Sequence, residues 1–196
     1  MSKTTLDPIL HVQELSVTLG GKLIIEDLGF DVAPGETLAL LGGSGTGKSV
    51  TLKAILGLLP SQAGTIHLGE VELRSATGRD AAAARARIGM LFQGAALFDS
   101  LSVWENIAFR LTQAEGVGQK VARERALTML DAVGLEPTLA DRRPADLSGG
   151  QQKRAGLARA LAAEPEILFF DGPTTGLDPI SAGLIDKLVA DTVART

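Results

Sequence analysis

Gly42-Gly43-Ser44-Gly45-Thr46-Gly47-Lys48-Ser49 fits the pattern G-x-x-x-x-G-K-[ST], and its flanks fit as well. Ahead of it, Thr37-Leu38-Ala39-Leu40-Leu41 is a short apolar stretch that predicts a buried strand. Behind it, residues 50–59 predict a helix closed by Pro60. Glycines let successive backbone N–H groups turn inward on an anion. The helix start adds unpaired donors and the positive end of its dipole. In such a loop Lys48 reaches the β- and γ-phosphates of a nucleoside triphosphate, and the Ser49 hydroxyl ligates Mg²⁺. A glycine-rich turn that binds nothing is the plain alternative, and the flanking strand and helix count against it.

A chain of 196 residues is long enough for one sizeable core, or one core with an inserted lobe. Its hydrophobic content of 45% is that of a soluble globular protein. A net charge of −4 offers no basic face to nucleic acid and no polybasic patch to a membrane. Cysteine is absent, which excludes disulfides and thiolate metal sites and suits the cytosol. No apolar run has the length of a membrane helix, and the first ten residues lack the layout of a signal peptide.

Residues 9–17 and 23–32 alternate in places around Gly20-Gly21, which predicts an antiparallel hairpin. Residues 64–68 and 71–74 predict two more short strands, and 81–87 a helix on alanine propensity. Ile88-Gly89-Met90-Leu91-Phe92 is a buried-strand run ending at Gln93. Residues 101–111 and 121–133 predict helices, so a helical lobe is expected between about 97 and about 147. Ser148 opens a further helix reaching Ala163. Ile167-Leu168-Phe169-Phe170 is a second buried strand that delivers Asp171, and 180–193 predicts a last helix. The expected fold is α/β, a mostly parallel sheet with its ligand at the strands' carboxyl ends, joined by an antiparallel β subdomain. One domain spans 1–196, with 1–96 and 148–196 as the core and 97–147 as the inserted helical subdomain.

Other polar residues read plainly. Ser148 and Gln151 form a capping box, which leaves Gly149 and Gly150 without a reason, since glycine at a helix start costs conformational entropy. Asp178-Pro179 is a helix-start turn. His11 and His67 sit on edge strands without a partner at ligand spacing. Trp104 belongs to the core or the lobe surface, and Arg123, Glu124 and Arg125 form a solvated helix face, with Arg142 and Arg143 a weaker case.

Gln93, Leu147-Ser148-Gly149-Gly150-Gln151 and Ile167-Leu168-Phe169-Phe170-Asp171 follow the phosphate loop in the order and spacing of an ABC-transporter ATPase subunit, which nearly the whole chain resembles. The run from Phe92 to Asn106, with Gly47-Lys48-Ser49-Val50 and Asp178-Pro179-Ile180, is similar to the ATPases of the mammalian-cell-entry, or Mla, lipid transporters, which maintain outer-membrane lipid asymmetry. The resemblance implies a P-loop NTPase of RecA-like type that binds ATP and Mg²⁺. Gly42, Gly43, Ser44, Gly45, Thr46, Gly47, Lys48, Ser49 and Val50 would hold the phosphates; Ser49, Gln93 and Asp171 the metal; Lys48, Gln93 and Asp171 would act in hydrolysis. It also implies a head-to-tail dimer in which Ser148, Gly149, Gly150 and Gln151 contact the partner copy's nucleotide. Close approach to that γ-phosphate would give the two glycines their reason. The subunit would sit on the cytoplasmic face of the inner membrane through a permease, with no nucleic acid involved.

Four departures from the family pattern stand out. Gly172 follows Asp171 where the family carries a glutamate that acts as general base, and losing a positioned base costs on the order of 10²- to 10⁴-fold. The switch histidine and the last strands lie beyond Thr196, so the chain reads as truncated at its C-terminus. The adenine-stacking aromatic would align near Leu19, and there is no tyrosine. Val50 replaces a common threonine, which keeps the backbone N–H but drops a hydroxyl. A catalytically degenerate module that binds nucleotide and assembles without turnover is therefore the alternative to a working ATPase. A soluble ABC protein of translation or DNA repair would carry a second domain or large insertions.

Overall fold

The computed structural model describes residues 7–193, and the chain divides into two compact units between Arg87 and Ile88. In the first, β1 (Leu10–Leu19) and β2 (Lys22–Val32) form an antiparallel hairpin. Its turn is made by Gly20 and Gly21, both left-handed at φ 57° and 77°, as a tight two-residue connection requires. β3 (Ala63–Leu68) pairs antiparallel with the other side of β1, and the two-residue β4 (Val71–Glu72) pairs with β3, giving the order β2-β1-β3-β4. Leu10, Val12, Leu15 and Val17 of β1 are all buried, although their spacing changes phase after Val12. A bulge absorbs the extra residue. Glu14 turns left-handed at φ 52° where the register shifts, so both halves of the strand keep their apolar side chains on the core face.

That order places β1 and β3 inside the sheet, so His11 and His67 are not on edge strands. His11 lies opposite both Asp31 and His67. Its Nδ1 hydrogen-bonds the Asp31 carboxylate, and the two imidazole centroids are 6.2 Å apart. The partner that sequence spacing did not reveal comes from cross-strand register.

α1 (Lys48–Ile55) packs against β1 and β2. It ends earlier than Pro60 predicts because Gly57, left-handed at φ 71°, closes a Schellman turn. Gly57 N–H donates to the Ala54 carbonyl at 3.0 Å and Leu58 N–H to the Lys53 carbonyl at 2.8 Å. α2 (Gly78–Ala86) buries Ala81 and Ala84. The expected strand at 37–41 is absent. No described strand pairs with it, Leu38 is 43% exposed and Leu41 91%. Apolar composition marked the stretch as strand-like, but a strand exists only with a ladder partner to satisfy its backbone.

In the second unit β5 (Ile88–Leu91) and β6 (Ile167–Phe170) run parallel, in register from Ile88↔Ile167 to Leu91↔Phe170. α6 (Gly149–Leu161) packs on β5. α3 (Val103–Ile107), α4 (Phe109–Gln113) and α5 (Gln119–Ala132) complete the helical lobe, whose core includes Val103, Ile107, Leu111, Ala126, Leu130 and Leu157. The single helix expected over 101–111 is two, starting at a Ser102–Glu105 capping box and broken at Ala108. The fully buried Asn106 ties the preceding loop by accepting from Phe98 N–H at 2.7 Å and donating to the Phe98 carbonyl at 3.0 Å. Arg123 and Arg125 are not merely solvated. Arg123 grips Asp141 with both carboxylate oxygens in reach, and Arg125 pairs with Glu164 and donates to the Ala162 carbonyl. Arg143 donates to the Ser100 carbonyl. α7 (Pro179–Val193) closes the described chain. Among the described residues no helix is long and apolar enough to cross a membrane.

The hydrogen bond that His11 donates to the Asp31 carboxylate raises the His11 pKa above its ordinary 6.5. A raised histidine contributes stability that is complete below 6.5 and is lost as pH climbs through the folded-state value. Urea unfolding of the wild type and Asp31→Asn, compared at about pH 6 and about pH 9, checks this. The wild type is the more stable at the lower pH, and the gap closes at the higher one. The effect is small because the two side chains are 40% and 62% exposed.

Candidate nucleotide site

The carbonyls of Gly42 and Gly43 close around one cation. Lys48 Nζ donates to the Gly42 carbonyl at 2.7 Å and the Gly43 carbonyl at 2.6 Å, and Thr46 Oγ donates to Gly43 at 3.0 Å. Glycine is required locally. Gly45 and Gly47 are left-handed at φ 80° and 96°, and a Cβ on Gly47 would stand 3.3 Å from Ile24 and Ile25 of β2. Gly47, having no side chain, caps α1 without a side-chain hydrogen bond. This donor set fits a polyphosphate. A primary amine held by neutral oxygens of its own loop stands at the start of an eight-residue helix whose N-cap is a glycine.

In the second unit the parallel register brings Gln93 and Asp171 to the carboxyl ends of neighbouring strands. Asp171 N–H extends the ladder by donating to the Leu91 carbonyl at 2.9 Å. Gly172 is left-handed at φ 54°, and a Cβ there would lie 3.8 Å from Gln93 Cγ and 2.7 Å from Thr175 Oγ. Gln93, Asp171 and residue 172 thus share one corner.

Ser148 to Gln151 start α6 as the capping box predicts. Ser148 N–H donates to Gln151 Oε1 at 2.8 Å, and Gln151 N–H donates to Ser148 Oγ at 3.3 Å. One of the two glycines finds a reason within the chain. A Cβ on Gly150 would meet Ser181 Oγ at 3.0 Å and Cβ at 3.3 Å, whereas one on Gly149 reaches only Leu177 Cδ2 at 3.9 Å. Asp178 caps α7 by accepting from Ile180 N–H and Ser181 N–H, both at 3.0 Å. The Ser181 hydroxyl and these amides hold its carboxyl below the usual range.

The sequence model of the ABC transporter family matches residues 25–175. The chain belongs to the ABC transporter family. This ABC chain is 38% identical to the intermembrane phospholipid transport system ATP-binding protein MlaF of Haemophilus influenzae, over 92% of its own length and 68% of that protein's. It is 37% identical to the probable ribonucleotide transport ATP-binding protein mkl of Mycobacterium leprae, over 95% of its own length and 53% of that relative's. Its fold superposes on the ATP-binding cassette MJ0796, solved as a dimer bound to ADP and Pi, with a TM-score of 0.84 at 27% identity, covering 95% of this chain and 83% of that one. The fold is therefore the α/β P-loop architecture expected.

Sequence reading missed the cations of α6. Lys153, 6% exposed, donates to the Thr175 carbonyl in the loop after Asp171, and burial lowers its pKa. Arg154 donates to the Gly134 carbonyl at 2.7 Å. Arg159 donates to the carbonyls of Ala95 and Ala96, both at 2.7 Å. The available signal was periodicity, since Arg159 stands in an inward stripe with Ala155, Ala158 and Ala162, all buried.

Gly149 and Gly150 separate chain-internal from external constraint. Gly149→Ala stabilises the isolated chain by up to about 1 kcal/mol, the difference in helix propensity. Gly150→Ala falls short of it by about 1 kcal/mol because Ser181 must yield. Thermal unfolding of the two variants measures both.

Proposed function

We propose that this chain is the ATP-binding subunit of an ABC transporter and that its cargo is phospholipid. Lys48 carries the reading. Its amine is held by neutral carbonyls at 2.6 and 2.7 Å, and a γ-phosphate offers it a charged partner in their place. The residues from Gly42 to Val50 bind the phosphates through N–H groups, and Lys48 exchanges its loop carbonyls for β- and γ-oxygens. By the family motif Ser49, Gln93 and Asp171 would hold Mg²⁺, which would neutralise developing charge on the phosphates. Gln93 and Asp171 follow adjacent parallel strands, and Asp171 N–H extends their ladder to the Leu91 carbonyl. Residues 97–147 form the helical subdomain that meets a permease, and the remainder forms the nucleotide-binding core. Two copies close head to tail, with Ser148 to Gln151 of each on the other's nucleotide; the room at Gly149 supports this, because nothing among the described residues demands a glycine there. The subunit sits peripherally on the cytoplasmic face of the membrane through its permease. The likeness to MlaF supports the lipid cargo, and the ribonucleotide in the name of mkl is the competing assignment.

A specific observation favours a second reading, a nucleotide-dependent assembly module without turnover. Gly172 supplies no base, and its left-handed backbone disfavours any side chain there.

The test pairs binding with hydrolysis. A fluorescent ATP analogue with Mg²⁺ binds the wild type saturably, and Lys48→Ala loses that signal; equal affinity in the two proteins rejects the site. Assembled with its permease, the wild type hydrolyses ATP slowly. Gly172→Glu restores a base worth about 10²- to 10⁴-fold. It does so on a left-handed residue that withholds roughly five- to thirtyfold, so a net gain between about threefold and about 2 × 10³-fold is expected. A wild type that matches the variant is a working ATPase by another base, and the assembly-module reading falls.

A further inference from the structure

Immediately after Gln93 the chain takes an improbable path. Gly94 is followed by Ala95 and Ala96, both left-handed at φ 59° and 50°. An L-residue in that region is disfavoured roughly five- to thirtyfold, and here two stand in succession. The local hydrogen bond from Ala95 N–H to the Phe92 carbonyl at 2.9 Å closes a turn but fixes neither alanine carbonyl.

Those two carbonyls are bound from another element. Arg159 Nη2 donates to Ala95 O and Nη1 to Ala96 O, each at 2.7 Å, so the planar guanidinium reads two adjacent oxygens at once. Gly156 lies one turn earlier on the same face of α6. A Cβ there would stand 3.2 Å from Ala95 Cβ and 3.3 Å from its Cα, so the glycine lets the helix come close enough for the guanidinium to reach. Burial without a carboxylate partner lowers the pKa of Arg159, and the loop carbonyls are what compensate that burial.

We infer that Arg159 is a positioning residue that holds Ala95 and Ala96 left-handed and thereby fixes the loop leaving Gln93. The helix that begins with Ser148 to Gln151 therefore also dictates, eight residues beyond them, the path of the chain after Gln93. Its consequence for nucleotide rests on the function proposed above, whereas the clamp itself does not.

Amide hydrogen exchange of the full chain without nucleotide tests the clamp. In Arg159→Met, exchange at residues 94–97 accelerates at least roughly tenfold while α5 keeps its protection. Glycine visits the left-handed region freely. Adding Ala95→Gly and Ala96→Gly to Arg159→Met therefore returns exchange to within roughly threefold of the parent. Arg159→Lys, which offers no fork, falls between; should Arg159→Met not fold, the lysine variant with and without the glycine pair makes the same comparison. Unchanged exchange at 94–97, a rise shared equally by α5, or failure of the glycine pair to restore protection overturns the clamp. Mg²⁺-dependent binding of the ATP analogue is then measured on the same proteins. Weaker binding alongside faster exchange supports both the clamp and Gln93 in the nucleotide site; unaltered binding alongside faster exchange leaves the clamp standing and removes Gln93 from that site.

Discussion

No side chain fits at residue 89, and the second unit is built on that fact. A Cβ on Gly89 would lie 2.6 Å from the Ala160 carbonyl, 2.6 Å from Leu168 Cδ2 and 2.8 Å from Pro165 Cγ. The last turn of α6 therefore rests directly on the backbone of β5, while Leu168 of the neighbouring strand closes the same space. This approach sets the height of the helix above the two parallel strands. From it follow the position of Ser148 at one end of α6, the reach of Arg159 towards the other, and the alignment that sends Gln93 and Asp171 out side by side.

Once seated, α6 binds its surroundings through cations rather than through ion pairs. Lys153, Arg154 and Arg159 each donate to main-chain carbonyls, at Thr175, Gly134, and Ala95 with Ala96. Such charge-assisted bonds contribute about 1.5–3 kcal/mol apiece, more than neutral ones. Removing Lys153 or Arg159 would leave a part-buried carbonyl, at Thr175 or Ala95, without its donor. Two of the segments they hold include left-handed residues: Gly134 at φ 65°, where glycine is at ease, and the two alanines, which are not. For the alanines the helix supplies from outside what local propensity does not.

How much of this could be read from the amino-acid sequence differed by the range of the interaction concerned. The phosphate loop, the capping box at Ser148 and the two strands before Gln93 and Asp171 were legible because each depends on residues within one short window. The helix end at Gly57 was legible in principle, but Pro60 drew attention further along. What stayed hidden depends on distant partners. The stretch 37–41 has strand composition but no ladder, His11 finds Asp31 only through hairpin register, and Arg123 finds Asp141 across 18 positions. Gly149 and Gly150 look identical in sequence, and only Ser181, 31 positions away from the second, distinguishes them. Gly172 was flagged for the carboxylate it lacks, whereas its left-handed backbone is a tertiary property.

The only tryptophan of the chain, Trp104, lies in α3, with the Arg123 guanidinium 6.0 Å from its ring centroid, and the chain has no tyrosine. Arg123 is at the same time held by Asp141. Ultraviolet emission from this molecule thus originates from one indole beside one tethered cation, so its colour and intensity report the helical lobe alone, and a change of packing there would be visible without any attached dye.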